Sequence, residues 1–400
     1  MHSYARPVLG VKPCTPQSAG SRNAFSAAMK LFTCPSCSHV LHFENTRCER
    51  CGDRLAYLPE LQTLSSLQAV STPDAGAETP PSEFVALAPD ADGQRVRLCR
   101  NYLAHDACNW AVPAESEDAF CRSCSLNEVI PNLETPEARQ AWVRLETAKR
   151  RLIYGVSALG LPLEPRSAPG GLAFAFKAST PVEPVFTGHN DGLITINIAE
   201  ASDPFREKTR EEMGEPYRTV LGHFRHEIGH YYWDRLIKGS RWLEPFRALF
   251  GDDTLDYAEA QKRHYEQGAP ADWVARFVSA YASMHPWEDW AETFAHYLHM
   301  VDTLETARAY GLAIAPRAVS GAAIPSVTTR RLHFDDFDDL ITAWFPLTNA
   351  LNSLNRSMGL PDLYPFVLSE PAITKLRFVH DVIAAPSDAR QAESASCTVA

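Results

Sequence analysis

The residues best equipped for chemistry are His226, Glu227 and His230, in the run Arg225-His226-Glu227-Ile228-Gly229-His230-Tyr231. On an α-helix, residues four apart share a face, with about 5–6 Å between their Cβ atoms. The two imidazoles can therefore meet one metal ion, at about 2.1 Å each for zinc. Glu227 lies about 100° further round the helix. It is too close in sequence to complete the ligand set, but well placed to hold a water and take its proton. This is the His-Glu-x-x-His arrangement of zinc hydrolases. The bland alternative is a helix with two surface histidines and a salt-bridging glutamate. Val220, Leu221, Phe224, Ile228, Tyr231 and Leu236 favour the first reading, because they set the histidines in an apolar wall.

Such a site needs a third ligand. Downstream stands Tyr281-Ala282-Ser283-Met284-His285-Pro286-Trp287-Glu288-Asp289-Trp290-Ala291-Glu292. Pro286 followed by acidic residues marks a helix N-terminus. Glu288 and Glu292 share a face there, so one can bind metal while the other hydrogen-bonds a ligand histidine. A histidine six residues after His230 would compete, but Leu236 occupies that place. Asp289 is a further candidate to support the ligands from behind. His223, His296 and His299 read as surface or packing residues.

Two cysteine groups point to different metal chemistry. Cys34, Cys37, Cys48 and Cys51 form two Cys-x-x-Cys knuckles. Four thiolates at about 2.3 Å close a tetrahedral site and leave no place for water, which makes that zinc structural. In so short a segment the metal would supply most of the folding free energy, about 10–16 kcal/mol in comparable peptides. Cys99, Cys108, Cys121 and Cys124 make a second such set, with only the last pair tightly spaced. Two alternatives stand there: His105 replaces one thiolate, or Cys99 and Cys108 are buried free thiols. Trp110 and Phe120 are expected to pack beneath this site.

These side chains must be held by elements. The metal helix is predicted over 216–237, with Pro216 in its first turn and Gly239 past its end. Pro136 to Leu159 reads as a long helix stopped by Gly160 and Pro162. Strands are predicted at Leu172–Phe176 and Gly192–Ile198, on either side of a turn at His189–Gly192. Residues 193–199 are expected to offer an edge to bound peptide by strand addition, an interior strand being the alternative. Residues 240–280 read as helical, with Trp242, Phe246, Tyr257, Tyr265 and Trp273 as packing residues. A loop follows over 311–330, and helices over Asp335–Met358 and Ile373–Ile383 complete the lobe.

His226-Glu227-x-x-His230 with Glu288-x-x-Ala291-Glu292 resembles the gluzincin metallopeptidases, in particular the lethal-factor-like branch. That resemblance implies zinc held by His226, His230 and Glu288, with Glu227 as general base. It also implies a catalytic tyrosine seven residues before the ligand glutamate, here Tyr281, and leaves Glu292 and Asp289 behind the ligands. From about Met29 to Ala384 the chain is similar to bacterial proteins described as zinc-binding metallopeptidases with an N-terminal zinc ribbon. The fold expected is α+β: a mainly helical gluzincin-like domain with a small sheet, preceded by four-cysteine zinc-ribbon modules.

Four hundred residues allow two or three domains. The division expected is an extension over 1–28 (or a start at Met29), a zinc ribbon over 29–67, and a linker over 68–82. A second four-cysteine module over 83–135, the peptidase domain over 136–384 and a tail over 385–400 follow. A net charge of −11 argues against a nucleic-acid partner. No run is long and apolar enough to span a membrane. Ten cysteines grouped in knuckles suit metal binding in a reducing cytoplasm rather than disulfides. The function expected is hydrolysis of a peptide or protein substrate, with one catalytic and two structural zinc ions. A silent peptidase-like binding protein, or an adaptor that grips a protein partner through its ribbons, is the alternative.

Overall fold

The computed structural model describes residues 31–70, 82–213, 217–317, 321 and 325–385. The expected extension, the expected tail past Ala385 and Pro216 lie outside the described residues. Strands β1 (Phe32–Thr33) and β2 (Val40–Leu41) form the hairpin of the first cysteine group. Then β3 (Leu55–Leu58), β4 (Thr63–Ala69), β5 (Phe84–Ala86), β6 (Arg95–Leu98) and β7 (Ala111–Pro113) build one antiparallel sheet in sequential order. The first and last strands meet through Tyr57, whose N–H donates to Asn109 O at 2.8 Å. A short helix α1 (Arg100–His105) lies between β6 and β7. Of the expected linker, Gln68 and Ala69 belong to β4, residues 71–81 lie outside the described residues, and β4 pairs with β5 across that stretch.

The long helix α2 (Pro136–Ala158) starts as its sequence dictates: the Thr135 hydroxyl accepts from Ala138 N–H, and Pro136 sits in the first turn. It joins the two halves of the molecule. One side carries Tyr154 into a cluster with Phe43, Tyr57 and Trp110 of the cysteine unit, with Phe43 at 5.1 Å and Tyr57 at 5.7 Å. The other carries Lys149, fully buried, between the rings of Phe174 and Phe176. A buried ammonium needs partners; Lys149 Nζ donates to Glu146 Oε1 at 3.0 Å and to Asn127 Oδ1.

A second sheet follows, built from β8 (Asn127–Val129), β9 (Ala173–Lys177), β10 (Gly188–Asn190) and β11 (Leu193–Asn197), in the order β10-β11-β9-β8. β11 lies between β9 and β10, so the expectation that residues 193–199 present the free edge is overturned. The reason is the turn. Asp191 and Gly192 both have positive φ, 45° and 74°, which makes a tight hairpin. The hairpin folds 188–190 back over β11 and makes β10 the edge.

Past α3 (Asp203–Met213), helix α4 (Val220–Leu236) is capped by the Thr219 hydroxyl, which accepts from Gly222 N–H at 3.0 Å. It begins later than the 216 expected. The expected helical stretch is α5 (Leu243–Phe250) and α6 (Tyr257–Gln267). Helix α7 (Pro286–Ala309) then crosses α4, and a small hairpin, β12 (Ala313–Ile314) with β13 (Val327–Thr328), occupies part of the expected loop. Helices α8 (Phe337–Ser357) and α9 (Glu370–Ala384) close the lobe.

The crossing of α4 and α7 is very close. A Cβ on Gly229 would stand 3.0 Å from Ala291 Cα and 3.3 Å from Phe294 Cβ. Trp290 Nε1 donates to Gly229 O at 2.8 Å across the same seam. A larger residue at either position would hold the helices apart. No helix among the described residues is long and apolar enough to cross a membrane.

Candidate metal centre

The near contact of α4 and α7 brings one atom from each of three side chains together. His226 Nε2 lies 3.1 Å from His230 Nε2 and 3.0 Å from Glu288 Oε2, and His230 Nε2 lies 3.4 Å from the same oxygen. Ligands about 2.1 Å from a tetrahedral ion stand about 3.4 Å apart. The three atoms therefore form one face of a tetrahedron of zinc size, slightly contracted. Glu288 Oε2 is buried and has no hydrogen-bond donor, as a metal ligand requires. The donor set, two imidazoles and one carboxylate, is that of a hydrolytic zinc site.

The surroundings fix each ligand. Glu292 Oε1 accepts from His226 Nδ1 at 2.6 Å, which directs Nε2 inward, and Ser279 Oγ donates to Glu292 Oε2 at 2.6 Å. Burial pushes the Glu292 carboxyl up, but the His226 hydrogen bond outweighs it and holds the group at about 2. Burial likewise raises Glu288, and the two histidines overcome this and hold it well below the usual carboxylate range. Tyr257 Oη donates to Glu288 Oε1 at 2.8 Å. The indole of Trp287 lies against His230, ring centres 3.7 Å apart. His285 caps α7, its Nδ1 accepting from Trp287 N–H at 3.0 Å, which sets Glu288 in the first turn.

Tyr281 sits in a short turn before α7, its ring 5.9 Å from that of His226. Burial, more than the nearby carboxylates, pushes its phenol far above the ordinary range, so it keeps its proton. Glu227 is buried, and its charge bears on both Tyr257 and Tyr281. Asp289 points elsewhere: Lys375 Nζ of α9 donates to its Oδ2 at 2.6 Å. His223 faces Glu200, at 3.5 Å. His296 shares a hydrogen bond with Tyr364 at 2.7 Å, and Arg225 donates to His299 at 2.7 Å.

Beside the metal centre opens a cleft of about 410 Å³, walled by His189 of β10, Trp233, Leu255, Tyr257 and Trp287, with Asp191, Asp234, Asp253 and Lys238 among its polar lining. His189 stacks 6.4 Å from His230 and accepts from Gly192 N–H at 3.0 Å. The cysteine unit contributes nothing to this lining. Sequence reasoning missed Tyr257, Ser279, Trp287 and His189. Trp287 adjoins Glu288 in the chain and offered a signal, but the other three reach the site through folding alone.

In the cysteine unit, Cys34–Cys51 and Cys37–Cys48 sulfurs lie 3.7 and 3.6 Å apart, and Cys108–Cys121 lie 3.6 Å apart. Tetrahedral thiolates about 2.3 Å from zinc stand about 3.8 Å apart. Each group of four converges within 4.8 Å, and all eight thiols are free of disulfides. His105 lies against Trp142 at 5.6 Å and takes no part. Trp110 is buried beside the unit, whereas Phe120 is 36% exposed and does not pack beneath it.

Comparison with known proteins places the chain in a family. Residues 138–382 match the family described as "Putative zinc-binding metallo-peptidase", and residues 31–135 match a zinc-ribbon domain. Proteins of Mycobacterium bovis and Mycobacterium tuberculosis, each named only as uncharacterized, are 44% identical to it over 359 residues. That span is 89% of this chain and 95% of theirs. No solved structure matches the chain. The match over 138–382 takes in both metal-site helices, and the chain belongs to this metallopeptidase family, with the zinc-ribbon domain ahead of it.

Proposed function

We propose that the protein is a zinc-dependent peptidase of the gluzincin type, acting on peptide or protein substrates in the cytoplasm. One observation carries the reading: His226 Nε2, His230 Nε2 and Glu288 Oε2 converge at 3.0–3.4 Å from one another. Zinc held there would polarise a peptide carbonyl and make a water more acidic. Glu227, on the same helix, takes a proton from the attacking water as the oxygen bonds to the carbonyl carbon. It returns that proton to the departing nitrogen as the C–N bond breaks. The Tyr281 hydroxyl, kept protonated by burial, donates to the oxyanion.

The substrate backbone pairs with the edge strand β10, whose outer hydrogen-bonding groups face away from β11. One of its side chains enters the cleft beside Trp287. The zinc-ribbon domain is structural, each of its two zinc ions held by four thiolates with no position left for water.

The test is Glu227→Gln. It should leave all bound zinc in place and lower peptide cleavage by at least about a thousandfold, general-base catalysis and the associated positioning being lost together. Comparing proteins cleaved by wild type and by this variant names the substrates. Equal cleavage by both proteins would remove Glu227 from the role of general base, and no cleavage by either would favour a silent binding protein or a ribbon adaptor.

A further inference from the structure

We infer that Tyr257 is a positioning residue for the metal centre, holding Glu288 as a ligand through one oxygen only. The inference rests on the three-ligand reading above and adds what sets the geometry of its third member. A carboxylate can bind zinc through one oxygen or both. In this molecule the two oxygens have different surroundings. Oε1 accepts the Tyr257 hydroxyl at 2.8 Å, whereas Oε2, buried and without a donor, faces both Nε2 atoms.

Tyr257 is itself held firmly. It begins α6, whose start is fixed by Asp256 accepting from Glu259 N–H. Its ring packs at 5.4 Å on His285, the cap of α7, and at 5.8 Å on Trp287. The element that supplies the hydroxyl is thus keyed to the helix start that carries Glu288. With Oε1 engaged, a zinc ion held by His226, His230 and Glu288 would take one carboxylate oxygen and would have a position left for water. Tyr257 also walls the cleft, so a side chain seated there would touch the residue that sets the ligand.

The experiment is Tyr257→Phe, which keeps the ring and removes the hydroxyl. Zinc affinity is measured by competition with a chromogenic chelator. The visible absorption of the protein is then recorded with cobalt in the His226 site. The expected result is two zinc ions held as before by the cysteines and an unchanged far-ultraviolet circular dichroism, which together show that the chain is folded. The third should bind about 10–100-fold more weakly. Cobalt absorption should drop, because the freed Oε1 raises the coordination number. Unchanged affinity overturns the inference. So does weaker binding with an unchanged cobalt spectrum, because the hydroxyl would then support the site without setting how Glu288 binds. Both readouts are independent of turnover, so they stand even if Glu227→Gln shows that the protein cleaves nothing.

Discussion

Each side chain of the candidate metal centre is fixed by a neighbour outside the set of three. Glu292 orients His226, Trp287 covers one face of His230, and Tyr257 engages the second oxygen of Glu288. Such supporting contacts matter nearly as much as the ligands, because a freely turning imidazole loses binding energy to its own disorder. Glu292→Ala should therefore weaken the third zinc by about 10–100-fold and leave the two cysteine-bound ions untouched. Chelator competition would show it, and an unaltered third affinity would remove Glu292 from this role. The buried pair of Asp289 and Lys375 belongs to a different structure, the packing of α7 on α9.

Between elements, the decisive feature is the seam of α4 and α7. Gly229 and Ala291 are small because the backbones nearly touch there, and that approach lets a carboxylate on one helix reach two rings on the other. Gly229→Val would place methyl groups where Ala291 Cα stands. The expected loss is about 1–3 kcal/mol of stability from overpacking, read as a lower melting temperature of the metal-free protein. The third zinc should go with it, since separating the helices separates the ligands. An unchanged melting temperature would contradict the close crossing. The hairpin at Asp191-Gly192 matters in the same way, because it decides that β10, with His189, borders the cleft.

Across the whole molecule, the cysteine unit and the C-terminal lobe share one core through α2. Tyr154 packs among Phe43, Tyr57 and Trp110, and Lys149 lies buried against the β9 phenylalanines. All four sulfurs of Cys99, Cys108, Cys121 and Cys124 belong to buried residues, whereas Cys51 of the first group is exposed. A chelator should accordingly strip the Cys99 group last, as followed by zinc release over time. Cys121→Ser should lower the melting temperature of the chain in a single transition. Two separate transitions would mean that the cysteine unit and the lobe fold independently.

The sequence by itself determined whatever is encoded at short range. The spacing of His226 and His230, the Cys-x-x-Cys knuckles, and helices such as α2 and α7 with their proline starts all follow from periodicity and local capping. Periodicity says which face of its own helix a residue occupies, and so it allowed either Glu288 or Glu292 to bind metal. Only the crossing of α4 and α7 settled that Glu288 faces both Nε2 atoms while Glu292 stands behind His226. Tertiary structure also decided the edge strand and the arrival of Tyr257 thirty-one residues before its partner. These contacts depend on how faces from distant parts of the chain meet, which no local pattern records.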